Sequence, residues 1–152
     1  FEKSKPYSSI SGFHFKEMDA CWLKNMGSAQ FEFYAIELKD YRSAKLNEIV
    51  DNRIWDIVKK VVDTIQMYMS ARYQNQFGEC LETEKHVDLH TGVVRALFLT
   101  IVDIKPEDSL LFSVMKHECL NRLKGYKTIW DDIEIHILTK SQAQNYYSEF
   151  VK

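Results

Sequence analysis

The run from Val93 to Ile104, VVRALFLTIVDI, constrains the fold more than any other stretch of the chain. It is almost continuously hydrophobic and rich in β-branched residues. It also falls well short of the roughly 18 apolar residues that a membrane span needs. A strand without apolar–polar alternation has both faces covered, so this one is expected in the centre of a sheet. Such a sheet needs helices to cover it, and the chain supplies them. Between Ser43 and Tyr73, residues Ile54, Ile57, Val58, Val61, Ile65 and Tyr68 recur at three- and four-residue spacing, which predicts a long helix. A second helix is expected from Pro106, with Glu107 and Asp108 in its first turn, to about Lys124, where Gly125 is a suitable terminator. Ile133 to Leu138, IEIHIL, alternates as a strand, and Ser141 to Val151 predicts a closing helix capped by Ser141.

Upstream, Phe13 to Leu23 alternates loosely and Phe31 to Leu38, FEFYAIEL, is strongly β-prone. The turn-like residues 24–30 between them predict a hairpin with a loop of several residues. The order is then hairpin, long helix, buried strand, helix, strand, helix: an α/β domain with helices packed on a mixed sheet. With 152 residues, of which 45% are hydrophobic, one domain spanning 1–152 is expected, either alone or as a piece of a longer chain that extends before Phe1. No signal peptide is expected. Cys21, Cys80 and Cys119 are odd in number and widely spaced, which predicts reduced thiols in a cytoplasmic protein and neither a disulfide framework nor a zinc cluster.

The chemistry concentrates on the hairpin. Glu37-Leu38-Lys39 is an acid-x-lysine triplet, and a second one, Asp103-Ile104-Lys105, occurs downstream. Geometry separates them. Opposed residues of an antiparallel hairpin have numbers of constant sum, so a loop centred near Gly27 and Ser28 sets Asp19 opposite residue 36 or 37. Lys39 returns to the face of Glu37 two residues on. Two carboxylates and one ammonium then converge at the end of the ribbon. The nearest suitable partner for the second triplet, Asp88, pairs near Arg95 instead, about 25 Å from Asp103.

Close carboxylates repel unless a positive charge lies between them, and Mg²⁺ or Mn²⁺ suits an all-oxygen ligand set. The Ala35 and Ile36 carbonyls are candidate further ligands. The competing account is a solvated ion pair of Lys39 with Asp19, Glu37 or Glu17. The apolar residues Tyr34, Ala35, Ile36 and Leu38 argue for a buried strand and so for a functional one. Lys39 is expected near the strand's end, where its loss should cost little stability.

These residues, Asp19 in Glu17-Met18-Asp19-Ala20 and the triplet in FYAIELKDYR, resemble the motif of the PD-(D/E)XK nuclease superfamily. That superfamily includes restriction endonucleases, Holliday-junction resolvases and DNA-repair exonucleases. The resemblance covers roughly residues 13–104. It implies a restriction-endonuclease-like mixed sheet, metal binding by Asp19 and Glu37, and Lys39 as the catalytic lysine. Met18 stands where the family's proline is usual, and only Phe1 to Gly12 precede the hairpin, with Glu2 the sole acid, so the family's first helix is either absent or cut off. The implied partner is nucleic acid, DNA before RNA. No membrane is expected, and a homodimer or a partner domain in a longer chain is compatible.

Arg42, Lys45, Arg53, Lys59 and Lys60 follow the triplet as a candidate basic wall for a phosphate backbone, interleaved with Glu48, Asp51 and Asp56. The formal charge of −2 weighs against a nucleic-acid binder, although a local patch suffices to steer a polyanion. His86, Asp88 and His90 alternate as metal ligands would on a strand, but a polar loop explains them better; His14, His117 and His136 are assigned no role. Tyr68, Tyr73 and Phe77 are expected in the core rather than as a base-stacking platform. A second functional class stays open: an interaction module, such as an inhibitor, immunity or assembly subunit, built on the same scaffold without chemistry.

Overall fold

The computed structural model describes residues 15–43, 51–78, 89–149 and 151. Its centre is a four-stranded mixed sheet in the order β1-β2-β3-β4. Strand β1 (Ala20–Gly27) pairs antiparallel with β2 (Gln30–Asp40). Helix α1 (Asp51–Arg72) and the short α2 (Leu89–Gly92) lead to β3 (Val93–Asp103), which runs parallel to β2. A 3₁₀ turn (Pro106–Asp108) and helix α3 (Ser109–Ile129) then cross to β4 (Ile133–Thr139), parallel to β3, and α4 (Lys140–Tyr146) follows. The chain is therefore α/β, with helices flanking a mixed sheet.

The central position expected for the Val93 run holds, with Ala96 to Val102 buried without a break between β2 and β4. Strand parity divides its side chains. Ala96, Phe98 and Val102 join Phe33 and Ala35 of β2 in the larger core, against Ile57, Val61, Ile65 and Tyr68 of α1 and Met115, Cys119 and Leu123 of α3. Leu97, Leu99 and Ile101 join Tyr34 and Ile36 on the opposite face, under Ala143 of α4. Both crossover helices lie on one face, as a sheet that grows in one direction with one crossover hand requires. Among the described residues, no helix is long and apolar enough to cross a membrane.

The first strand begins later than its alternation suggested, at Ala20 and not Phe13. The reason is local: Lys16 N–H donates to Asp63 Oδ2 and Met18 N–H to Thr64 Oγ1, so the backbone there is committed to side chains of α1 instead of the sheet. The hairpin loop is also tighter than expected. Ser28 and Ala29 turn the chain with φ of 53° and 60°, the two-residue geometry that matches strand twist, beside Gly27 at φ 88°. Gly125 does not end α3, which continues to Ile129 with Trp130 as its C-cap. Packing of Leu123 and Tyr126 on the core outweighs the roughly 1 kcal/mol that a mid-helix glycine costs. The cap of the last helix is Thr139, not Ser141: its hydroxyl accepts from Gln142 N–H while the Gln142 side chain accepts from Thr139 N–H.

Candidate functional site

The hairpin register brings the two acids together. Ala20 lies opposite Ile36, which continues to Asp19 opposite Glu37. Asp19 sits one residue before β1 and is fixed from β2, since its Oδ2 accepts the Leu38 N–H at 2.8 Å. Glu37 faces α1 from the middle of the sheet and is 1% exposed. The Lys60 ammonium, reaching across from α1, stands 3.2 Å from Asp19 Oδ1 and 2.7 Å from Glu37 Oε1. One ammonium touching both oxygens places them no more than about 6 Å apart, close to the roughly 5 Å that a single ion coordinated at about 2.1–2.6 Å per bond can span.

Lys39 returns to the same face, as strand parity requires, with Nζ 2.8 Å from Glu37 Oε1. Its other partner is Asp56 Oδ2 on α1, at 2.6 Å. Lys16 closes the series at 2.8 Å from Asp56 Oδ1. Opposite charges thus alternate along one line: Asp19, Lys60, Glu37, Lys39, Asp56, Lys16. The chain N-terminal to β1 is drawn into this line by Asp63 and Thr64, one turn further along α1.

The electrostatics follow from these contacts. Burial alone would raise the Asp19 pKa, but the Leu38 amide and Lys60 outweigh it and hold the carboxyl below its ordinary value. Burial likewise opposes the charge on Lys39, and Asp56 and Glu37 more than offset it, so the ammonium is held well above its ordinary pKa. Lys60 is raised for the same reasons by Glu37 and Asp19. Asp56, despite partial burial, is lowered to about 2 by Lys16 and Lys39. Glu37 Oε1 is the exception to good pairing: two ammoniums lie within 2.8 Å, yet among the described residues none makes a well-angled hydrogen bond to it. Its register neighbour on β3, Thr100, is fully buried, and its hydroxyl has no hydrogen-bond partner among those residues.

The expected basic wall does not form as one open surface. Lys60 belongs to the carboxylate pair. Arg42 is committed to Asp40, at 2.6 Å, with Asp103 at 3.5 Å. Arg53 lies over the Tyr41 ring, 4.9 Å from its centre. Lys59 pairs with Asp63 at 2.7 Å and lies 5.7 Å from the Phe15 ring centre. Lys45 falls outside the described residues, as do His14, His86 and Asp88. His90 lies in α2, not on a strand.

The Ala35 and Ile36 carbonyls are not available as ligands. Both residues lie inside the ladder, paired with β1 on one side and β3 on the other. Leu38 is better placed. Its N–H reaches Asp19 on the β1 side, a strand residue's C=O points the same way as its N–H, and β1 pairs no further than Ala20. Asp103 of the second triplet is a strand-end residue opposite Asp40, near Arg42 and Lys140. His117 is exposed, whereas His136 is half-buried with Nδ1 2.7 Å from the Tyr147 hydroxyl. Tyr68 is core and stacks on Phe33 with ring centres 4.6 Å apart, but Tyr73 is largely exposed.

Sequence reasoning missed Asp56 as a site residue and misplaced Lys60. The available signal was the polar stripe Asp56, Lys60, Asp63, spaced by four and three along α1 beside the buried row Ile57, Val61, Thr64, Tyr68. Among the described residues, no group of three or more His, Cys, Asp or Glu side chains is gathered closely enough to hold a metal ion. Comparison of the chain with protein-family models, with curated proteins and with solved structures returns no match.

Proposed function

We propose that this chain is a metal-dependent nuclease of the PD-(D/E)XK type that hydrolyses phosphodiester bonds of nucleic acid, with DNA as the favoured substrate. The observation that carries the reading is the convergence on one spot of Asp19, Glu37 and Lys39 from two strands, with a single cationic group already between the two carboxylates. The chain order supports it. An antiparallel hairpin bearing the acids, then a helix, then a strand parallel to the second arm corresponds to the latter part of the restriction-endonuclease-like core. The reading places the protein in the cytoplasm, where Cys21 and Cys119 would stay reduced.

The residues fit a hard divalent cation. Every candidate donor is oxygen, and Glu37 Oε1 is buried without a well-angled hydrogen bond. Two carboxylates suffice for Mg²⁺ or Mn²⁺, which retain several waters in such sites. Asp19 and Glu37 would hold the ion, with the Leu38 carbonyl on the same side. An ion bound there would supply Lewis acidity and would make a water it holds more acidic than bulk water.

The chain's own groups do the rest. Leu38 N–H fixes the Asp19 carboxylate in its ionised form. Lys39 stays protonated at neutral pH, so it acts as a fixed positive charge facing the phosphate as negative charge develops, not as a base. Asp56 aims it, holding Nζ from the helix side.

One observation favours the alternative of an interaction module without chemistry: the site's charges are paired with one another. Cleavage assays separate the two readings. Single- and double-stranded DNA and RNA, incubated with Mg²⁺ or Mn²⁺, are expected to be cut by the wild type and not by Glu37→Gln. An interaction module leaves every substrate intact with both proteins.

A further inference from the structure

Lys60 and Lys39 touch the same buried carboxylate but are held differently. Lys39 is anchored on its far side by Asp56 at 2.6 Å. Lys60 has no such second anchor: among the described residues, its partners are Asp19 and Glu37 alone. These are the two groups that would hold the metal. Its ammonium lies between them, and its side chain is 19% exposed, which leaves it a route toward solvent. It projects from α1 on a four-carbon stem, while both carboxylates belong to the hairpin.

We infer that Lys60 is a tethered occupant of the metal position, which keeps the carboxylate pair assembled in the metal-free protein and moves to a substrate phosphate when a divalent cation enters. The inference rests on the nuclease reading and adds a regulatory consequence to it. Without Lys60, two carboxylates within about 6 Å, one of them buried, would repel and disfavour the folded pair. With Lys60 in place the pair is stable, but a cation must displace an ammonium to bind. A nucleic-acid backbone changes that balance by offering the displaced ammonium a new anion. Metal and nucleic acid therefore bind cooperatively, each raising the affinity for the other by the same factor. The metal-free protein takes up metal weakly and loads it fully only when a backbone lies across the site.

The test is Mn²⁺ binding by the full chain, measured by calorimetry with and without a phosphorothioate DNA oligonucleotide that resists cleavage. Lys60→Met is expected to bind Mn²⁺ about tenfold or more tightly than wild type in the absence of DNA, in the ordinary range of couplings between sites. It should also melt lower than wild type without metal and recover more on Mn²⁺ addition. The oligonucleotide should tighten Mn²⁺ binding by wild type and change it little in Lys60→Met. Lys60→Arg keeps the charge with a fork that can grip both carboxylates. It is expected to bind Mn²⁺ no more tightly than wild type, and this comparison stands even if Lys60→Met does not fold. Equal or weaker Mn²⁺ binding by Lys60→Met, or tighter binding by Lys60→Arg, overturns the inference. If wild-type binding is at the same time abolished by Asp19→Asn, the metal site itself survives. Absence of Asp19-dependent Mn²⁺ binding in every variant removes the inference and the metal site together.

Discussion

Breaking the Glu37–Lys39 pair on both sides at once should cost less than the two single losses added together. Glu37 is 1% exposed and the Lys39 side chain 16% exposed, with 2.8 Å between their charged atoms. Removing one partner of a buried ion pair typically costs about 3–5 kcal/mol because the other charge is stranded. Here the stranding is partial, since Glu37 keeps Lys60 and Asp56 keeps Lys16. Lys39→Met, which retains the stem and deletes the charge, is therefore expected to cost about 1–3 kcal/mol, the range for an under-satisfied buried polar group. In a domain of this size that corresponds to roughly 2–4 °C in Tm per kcal/mol. Glu37→Gln should cost a similar amount, by leaving Lys39 and Lys60 with one fewer carboxylate. The double variant Glu37→Gln/Lys39→Met should be less destabilised than the two effects added, with a coupling of about 1–2 kcal/mol. Urea denaturation of the four proteins measures the cycle. Additivity within about 0.3 kcal/mol would refute the buried pairing and restore the solvated-strand-end picture of Lys39, in which its loss costs little.

Three further expectations follow from the same geometry. Millimolar Mg²⁺ or Mn²⁺ should raise the melting temperature by mass action, and Asp19→Asn should shrink that shift; an unchanged shift in the variant would remove Asp19 from the metal site. Asp56 is lowered to about 2 in the fold, so its contribution is present above the unfolded carboxylate value and is lost as pH falls from about 4 toward 2. Asp56→Asn should flatten the acid limb of a Tm-against-pH curve by on the order of 1 kcal/mol after discounting for solvent screening, and an unaltered limb would contradict the assignment. Thr139→Ala removes the hydroxyl of the capping box and should cost about 1 kcal/mol, read as a loss of protection for α4 amides in hydrogen exchange.

What the sequence revealed, and what it hid, divides along physical lines. The central strand was legible because burial on both faces leaves no alternation to misread. The pairing of Asp19 with Glu37 was legible because a hairpin ties register to arithmetic: the turn fell at Ser28-Ala29 and the sum changed by at most one. The side on which Lys39 emerges is likewise fixed by strand parity. Lys60 was illegible as a site residue because nothing local records its partners. They lie 23 and 41 residues away, and only the packing of α1 on the sheet face that carries Glu37 brings them into reach. Asp56 was hidden in the same way. The start of β1 was misjudged since the competing hydrogen bonds of Lys16 and Met18 come from Asp63 and Thr64, far along the chain. The Thr139 cap, by contrast, was available in the T-K-S-Q pattern and passed over for the nearby Ser141.

The nuclease assignment is tested most directly by the single-turnover rate of phosphodiester cleavage in saturating Mn²⁺, compared between wild type and a folded Lys39→Met. A fixed positive charge that acts on the developing phosphate charge should account for about 100- to 1000-fold in rate, with nucleic-acid binding retained. Equal, robust cleavage by both proteins would show a nuclease whose active site lies elsewhere. No metal-dependent cleavage by the wild type of any DNA or RNA form would contradict the assignment itself.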